Sequence, residues 1–205
     1  MIKKLEQAFY LDSDILKLTK ALLGKVLCTC IAGKTTKGMI MEAEAYRGPE
    51  DRGSHGYGNL RSTRTEPMFL QGGRAYVYLC YGMHHMFNVV SGPENIPHAI
   101  LIRALYPISG IDVMQQRRGR SIAFKNLCDG PGKLGQAMGI HTSMSGIELT
   151  GHLIWIEDHE IVVSRNDFEQ SPRIGIDYAG EDALLPWRFL LKNPKRIWAK
   201  ASGVI

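Results

Sequence analysis

The sequence predicts an α+β fold in which residues 1–205 form one domain, built on a mixed, mainly antiparallel sheet flanked by helices, with a protruding β-hairpin. Three observations carry this expectation. Short stretches alternate apolar and polar residues as strands do, helical spacing appears only in isolated segments, and the two never settle into a βαβ rhythm. At 205 residues, 44% of them hydrophobic and 22% charged, the chain has the size and composition of one large globular domain.

Each element has its own signal. Ser13 or Asp14 can cap a helix carrying Ile15, Leu18 and Leu22, with Gly24 to end it. "KVLCTCIA" alternates as a strand, and "GKTTKG" is expected to turn the chain into a second strand, "MIMEAEAY". There Ile40, Glu42, Glu44 and Tyr46 should share one face, with Met39, Met41, Ala43 and Ala45 on the other. The stretch from Arg47 to Arg74 is rich in Gly, Pro and Arg and should be irregular; loops of that length are often functional. "AYVYLC" and "MFNVVS" read as strands joined by "YGMHH", a hairpin with Gly82 near its tip. "HAILIRALYP" reads as a central strand, and Ser109 as the cap of a helix through "DVMQQRR". Pro131 suits the first turn of "PGKLGQAMG", "HLIWI" and "EIVVS" suggest a late hairpin, and "LPWRFLL" another buried element.

The net charge of +5 favours a polyanionic partner. Basic residues cluster in three zones: Arg52, Arg61, Arg64 and Arg74; Arg117 to Lys133; and Lys192 to Lys200. Interleaved with tyrosine-rich turns, they suit a surface that grips phosphates and stacks bases. The four cysteines are too few and scattered for a disulfide framework, and Cys28 with Cys30 lacks the second pair a zinc site needs. No stretch is apolar enough for a signal peptide or a membrane span, so the expectation is an unanchored protein of the cytoplasm. Nucleotide cradles and the nucleophile elbow are absent as motifs. A glutamate on a strand entering a Gly-rich loop can be a general base, or a solvated charge on an open sheet face. Tyr46, Tyr76, Tyr78 and Tyr81 can be pocket walls or sheet-packing rings, and His55 a catalytic or a surface residue.

Five collinear motifs narrow these choices. "EAEAYRGPED" with His55, "MFLQGGRAYVYLCYGMHHMFNVV", "AILIRALYP", "GPGKLGQAMGI" and "RIGIDYAGE" resemble the alkyladenine (methylpurine) DNA glycosylase family, from about Leu16 to Trp198. The resemblance implies a fold similar to the C-terminal domain of formyltransferases. It implies removal of alkylated or deaminated purines from double-stranded DNA by a monomer that needs no metal and no cofactor, the nucleotide being flipped into a pocket. Carried over residue by residue, Glu44 is the general base, Arg103 the arginine that holds it, and the Ile174 carbonyl an acceptor for the attacking water. Tyr46 and Tyr78 sandwich the base, His55 closes the pocket, and Asn88 rejects guanine. Tyr81 intercalates, with Met83 pressing beside it, while Arg61, Arg64 and Lys133 are candidates for the DNA backbone. No lysine is expected at the attack position, so strand cleavage through a Schiff base is not.

Two other classes are compatible with the residues. A nucleic-acid-binding module of the same fold would make Glu44 dispensable. A metal-dependent nuclease would need Glu42, Glu44, Glu50 and Asp51 to converge.

Overall fold

The computed structural model describes residues 2–203. In chain order its strands and helices are β1 (Lys3–Lys4), α1 (Ile15–Leu22), β2 (Val26–Ile31), β3 (Lys34–Arg47), β4 (Ala75–Cys80), β5 (His84–Ser91) and β6 (His98–Ser109). Then follow α2 (Ile111–Arg118), α3 (Pro131–Met138), β7 (Ile154–Asp158), β8 (Phe168–Ser171), β9 (Arg188–Leu191) and α4 (Pro194–Ala201). The strands form one sheet in the order β1-β7-β2-β3-β6-β5-β4, with β9 on β3 and β8 on β9. Every ladder is antiparallel, so the expected α+β class holds while the mixed character does not. β6 is central, as its apolar run requires: eight of its twelve residues are buried.

The 14-residue β3 organises the molecule. Its first half pairs with β2 and its second half, Glu42 to Glu44, with β9, while β6 flanks the opposite side. The register slips between Ile40 and Glu42, where the neighbour changes. This bulge corrects the simple alternation: Ile40 is fully buried in the main core with Met39, Ala43 and Ala45, instead of sharing a face with Glu42. Strand β3 also begins earlier than expected. The turn is only Ala32–Gly33, both at positive φ, and most of "GKTTKG" is strand.

Local chemistry fixes the helices. The Asp14 side chain accepts from the Lys17 backbone N–H at 3.0 Å and caps α1, whose Ile15, Leu18 and Leu22 are buried. Pro131 opens α3, and Gly139, at φ +71°, closes it. α3 docks on β5 through its glycines; a Cβ at Gly135 would stand 2.3 Å from the His85 carbonyl oxygen. Ser109 does not cap α2. It ends β6, and Gly110 at φ +70° takes the cap position because a Cβ there would meet the Thr35 carbonyl at 2.4 Å. The expected late hairpin is also absent: β7 pairs with β2 and β1, and residues 160–164 form no strand. β8, unmarked in the sequence, pairs with β9.

Candidate active site

Antiparallel register draws distant residues into one row. Glu44 of β3 lies opposite Leu101 of β6, Leu101 opposite Asn88 of β5, and Asn88 opposite Tyr76 of β4. Direct cross-strand partners project to the same face, so four residues scattered over 58 positions of chain line up. Tyr78 joins Tyr76 by the two-residue period of β4. Above this row lies a pocket of about 500 Å³, walled by Tyr46, Tyr76, Tyr78, Asn88, Leu101 and Arg103. The Gly53–His55 loop, Arg64, and the Ile174–Tyr178 segment complete its rim.

Glu44 has no exposed surface and sits directly behind the wall. One carboxylate oxygen, Oε1, accepts from the Ile174 backbone N–H at 2.9 Å and faces Arg103 Nη1 at 3.2 Å. The other, Oε2, accepts from the Tyr46 hydroxyl at 2.8 Å. Burial pushes its pKa up; Arg103, the Ile174 amide and the Tyr46 hydroxyl pull against that and only partly offset it. Arg103 also donates from Nε to Glu42 at 3.0 Å, and Glu42 accepts from Arg188 Nε at 2.6 Å. An alternating chain of acid and guanidinium therefore runs Glu44–Arg103–Glu42–Arg188, anchored by Arg188 on Ser171. Burial works against the Arg103 charge, yet the two carboxylates outweigh it and raise its pKa.

The loop after β3 is pinned from within. Arg173, buried, forms a two-pronged pair with Asp51 and donates to the Ala45 carbonyl at 2.9 Å. Its guanidinium lies 4.8 Å from the Tyr46 ring centre and 5.1 Å from that of Trp187. Asp51 Oδ1 accepts from the Gly53 amide at 2.8 Å. Loop, pocket wall and the Ile174 segment are thus one cross-linked unit. Glu50 remains exposed. The four acids a metal nuclease would need are divided among arginines, and among the described residues no three His, Cys, Asp or Glu side chains stand close enough to share a cation.

His55 is held at both ring nitrogens. Arg64 Nη2 lies 3.2 Å from Nε2, and the Tyr76 hydroxyl 2.8 Å from Nδ1. An arginine can only donate, so Nε2 carries the lone pair and Nδ1 the proton. Burial and the Arg64 charge lower the His55 pKa to about 4, and the ring is neutral at neutral pH. His55 meets Tyr78 edge-on at 4.7 Å, and Arg64 lies 5.1 Å from the centre of the same tyrosine ring. Asn88 Nδ2 donates to the Tyr76 carbonyl at 3.0 Å and lies 3.4 Å from that of Met86, which fixes the amide at the pocket wall.

Tyr81 and Met83 stand at the tip of the β4–β5 hairpin, 88% and 68% exposed. Tyr81 and Gly82 both have positive φ, and the Met83 N–H closes the turn on the Cys80 carbonyl at 3.1 Å, within a three-residue loop between the paired Cys80 and His84. Arg61 and Lys133 lie outside the pocket, each closed on an acid: Arg61 on Glu66 at 2.7 Å and Lys133 on Asp129 at 2.9 Å.

Eight sequence-derived candidates therefore line one pocket, Tyr46, His55, Arg64, Tyr78, Tyr81, Asn88, Arg103 and Ile174, with Glu44 behind its wall. The family described as Methylpurine-DNA glycosylase (MPG) matches residues 8–195. The chain belongs to this family. Among its relatives, a protein of Chlamydia felis named "Putative 3-methyladenine DNA glycosylase" is 48% identical over 196 residues, which span 94% of this chain and 100% of the relative. One of the same name from Bacillus cytotoxicus is 42% identical, over 90% of this chain and 94% of its own.

Three further residues of the site, Tyr76, Arg173 and Arg188, have no assigned role in the sequence. In the sequence Tyr76 can be wall or sheet packing; its spacing from Tyr78 puts both on one face, and it lines the pocket. Arg64, expected at the DNA backbone, turns toward the pocket and His55. Arg188 and Arg173 reach the site only through pairings of 146 and 122 positions, which no local pattern carries.

Proposed function

We propose that the protein is a DNA-3-methyladenine glycosylase that flips damaged purines out of duplex DNA and hydrolyses their N-glycosidic bond, leaving an abasic site. The observation that carries this reading is the fully buried Glu44, held by Arg103 and the Ile174 amide behind a pocket of aromatic rings. Extrusion of a nucleotide costs a few kcal/mol of stacking, least for a damaged or mispaired base. Tyr81, already exposed on the hairpin, fills the gap from the minor groove, with Met83 against the neighbouring pair. The flipped base enters between Tyr46 and Tyr78 and under His55, where a cationic alkylpurine is drawn to the π-faces. The Asn88 amide, fixed by its own hydrogen bonds, rejects the exocyclic amine of guanine.

A water held by the Ile174 carbonyl then attacks the anomeric carbon. Glu44 takes its proton and, once the bond stretches, stabilises the oxocarbenium-like sugar. Arg103 keeps the carboxylate in place. Arg61, Arg64 and Lys133 exchange their present partners for phosphates, which suits a rim of basic residues. No lysine lines the pocket among the described residues, so the reaction ends at an abasic site with the strand intact. One chain carries the whole set, and the enzyme works as a monomer needing neither metal nor cofactor.

The test is incubation with duplexes carrying 3-methyladenine, hypoxanthine or ethenoadenine, followed by alkali. Strand breaks that appear only after alkali, from at least the methylated duplex, are expected. Absence of breaks from every duplex, or breaks without alkali, would contradict the reading.

A further inference from the structure

Glu44 is fully buried, and it is absent from the surface of the pocket whose chemistry it serves. Its Oε1 is engaged by the Ile174 amide and Arg103 Nη1, both from pocket-lining residues. Its Oε2 is covered by the hydroxyl of Tyr46, a residue that does line the pocket. A water that approaches Oε2 from the pocket therefore meets the Tyr46 oxygen before it meets the carboxylate. We infer that the Tyr46 hydroxyl is a catalytic residue in its own right, relaying the proton of the attacking water to Glu44 Oε2.

The inference rests on the glycosylase reading above and adds a step to it. As the water oxygen bonds to the anomeric carbon, one O–H bond of the water breaks and its proton passes to Tyr46 Oη. In the same event the phenolic proton moves across the 2.8 Å hydrogen bond to Glu44 Oε2. The glycosidic electron pair leaves with the base. The tyrosine ends neutral, and the glutamate ends protonated. A concerted transfer is required, because burial and the neighbouring Glu44 carboxylate both oppose a free phenolate at Tyr46. The geometry is fixed from outside the pair: the Arg173 guanidinium faces the Tyr46 ring, and Arg173 is itself locked on Asp51. The charged and titratable groups around Glu44 are Arg103 from β6, Glu42 and Tyr46 from β3, and Arg188 from β9, which reaches it only through Glu42.

Tyr46→Phe keeps the stacking ring and removes the relay. Single-turnover excision from a 3-methyladenine duplex should slow by about 10²-fold or more, as loss of a proton-transfer group does. Affinity for an abasic-site duplex should stay within a few-fold. The Tyr46 hydroxyl donates to the ionised Glu44 and so lowers its pKa; without it, the acid limb of the pH–rate profile should move to higher pH. In mixtures of H₂O and D₂O the wild-type rate should give a bowed proton inventory, the mark of two protons in flight. That measurement needs no variant and stands even where Tyr46→Phe fails to fold. A linear inventory in the wild type, or Tyr46→Phe excising within about threefold of it, would overturn the relay and leave Tyr46 as a wall. Wild-type rates from Glu44→Gln would instead overturn the glycosylase mechanism itself, whatever Tyr46→Phe does.

Discussion

The Glu44 carboxylate sits between two opposing effects. Desolvation disfavours its charge, while Arg103, the Ile174 amide and the Tyr46 hydroxyl favour it, and desolvation is the larger. A carboxylate raised in this way is a stronger base than free glutamate, which suits the general base we propose. In the role we propose for Glu44 the ionised form is the active one, so excision should fall as pH drops through a limb lying above the ordinary glutamate value of 4.5. Single-turnover rates from pH 4 to 8 on a lesion of pH-independent charge would show this; a limb at or below 4.5 would mean that the three donors win. At this scale the sequence was informative about residue types and poor about partners. Glu44 and Tyr46 are adjacent on a strand face, so their association could be read from period two. Glu42 was legible as an acid but not as the clamp between Arg103 and Arg188, because β9 lies almost 150 positions away. Asp51 likewise reads as a candidate ligand in the sequence, whereas in the structure Arg173 occupies it.

The β4–β5 hairpin shows what an element adds to its residues. Its tight turn holds Tyr81 at φ +51°, a left-handed conformation that costs a non-glycine residue about 1–3 kcal/mol. The ring gains nothing from burial in return, being 88% exposed. Strain and exposure together fit a side chain shaped for a partner outside the protein. Tyr81→Gly should therefore relieve the strain while adding about 0.5–1 kcal/mol of unfolded-state entropy, leaving the melting temperature within a few degrees of wild type. Lesion binding should meanwhile fall about 5- to 150-fold, the worth of one stacked aromatic. A large drop in melting temperature with normal binding would place the wedge elsewhere. The strands of this hairpin were legible because alternation and a Gly-containing tip are local signals. The cap of α2 and the supposed hairpin at "EIVVS" were misread for the opposite reason. Contact with Thr35 chooses glycine for the cap, and β7 finds its partners in β2 and β1.

At the scale of the whole molecule, a net charge of +5 on 205 residues has to act through a surface. Several of its cations are already paired, Arg61 with Glu66 and Lys133 with Asp129, both exposed enough for the pairs to be weak and exchangeable. With about four to six phosphate contacts, log K for undamaged duplex should fall against log salt with a slope of roughly −4 to −5. A slope near −1, from titrations at several salt concentrations, would mean that the basic zones stay closed on their own acids. The α+β class was legible from the sequence because antiparallel neighbours are mostly near in the chain. The row from Glu44 to Tyr76 was not, because it exists only once the register of four strands is fixed.

All of this turns on one carboxylate. Glu44→Gln keeps the size and hydrogen-bonding shape of the side chain and removes its basicity. The deciding measurement is single-turnover release of 3-methyladenine from duplex DNA by this variant, alongside its affinity for an abasic-site duplex. Release should fall by about 10²–10⁴-fold with affinity kept within a few-fold, the signature of a lost general base in an intact site. Near-normal release would contradict the account, and Glu44 would then be a buried structural charge with the chemistry lying elsewhere.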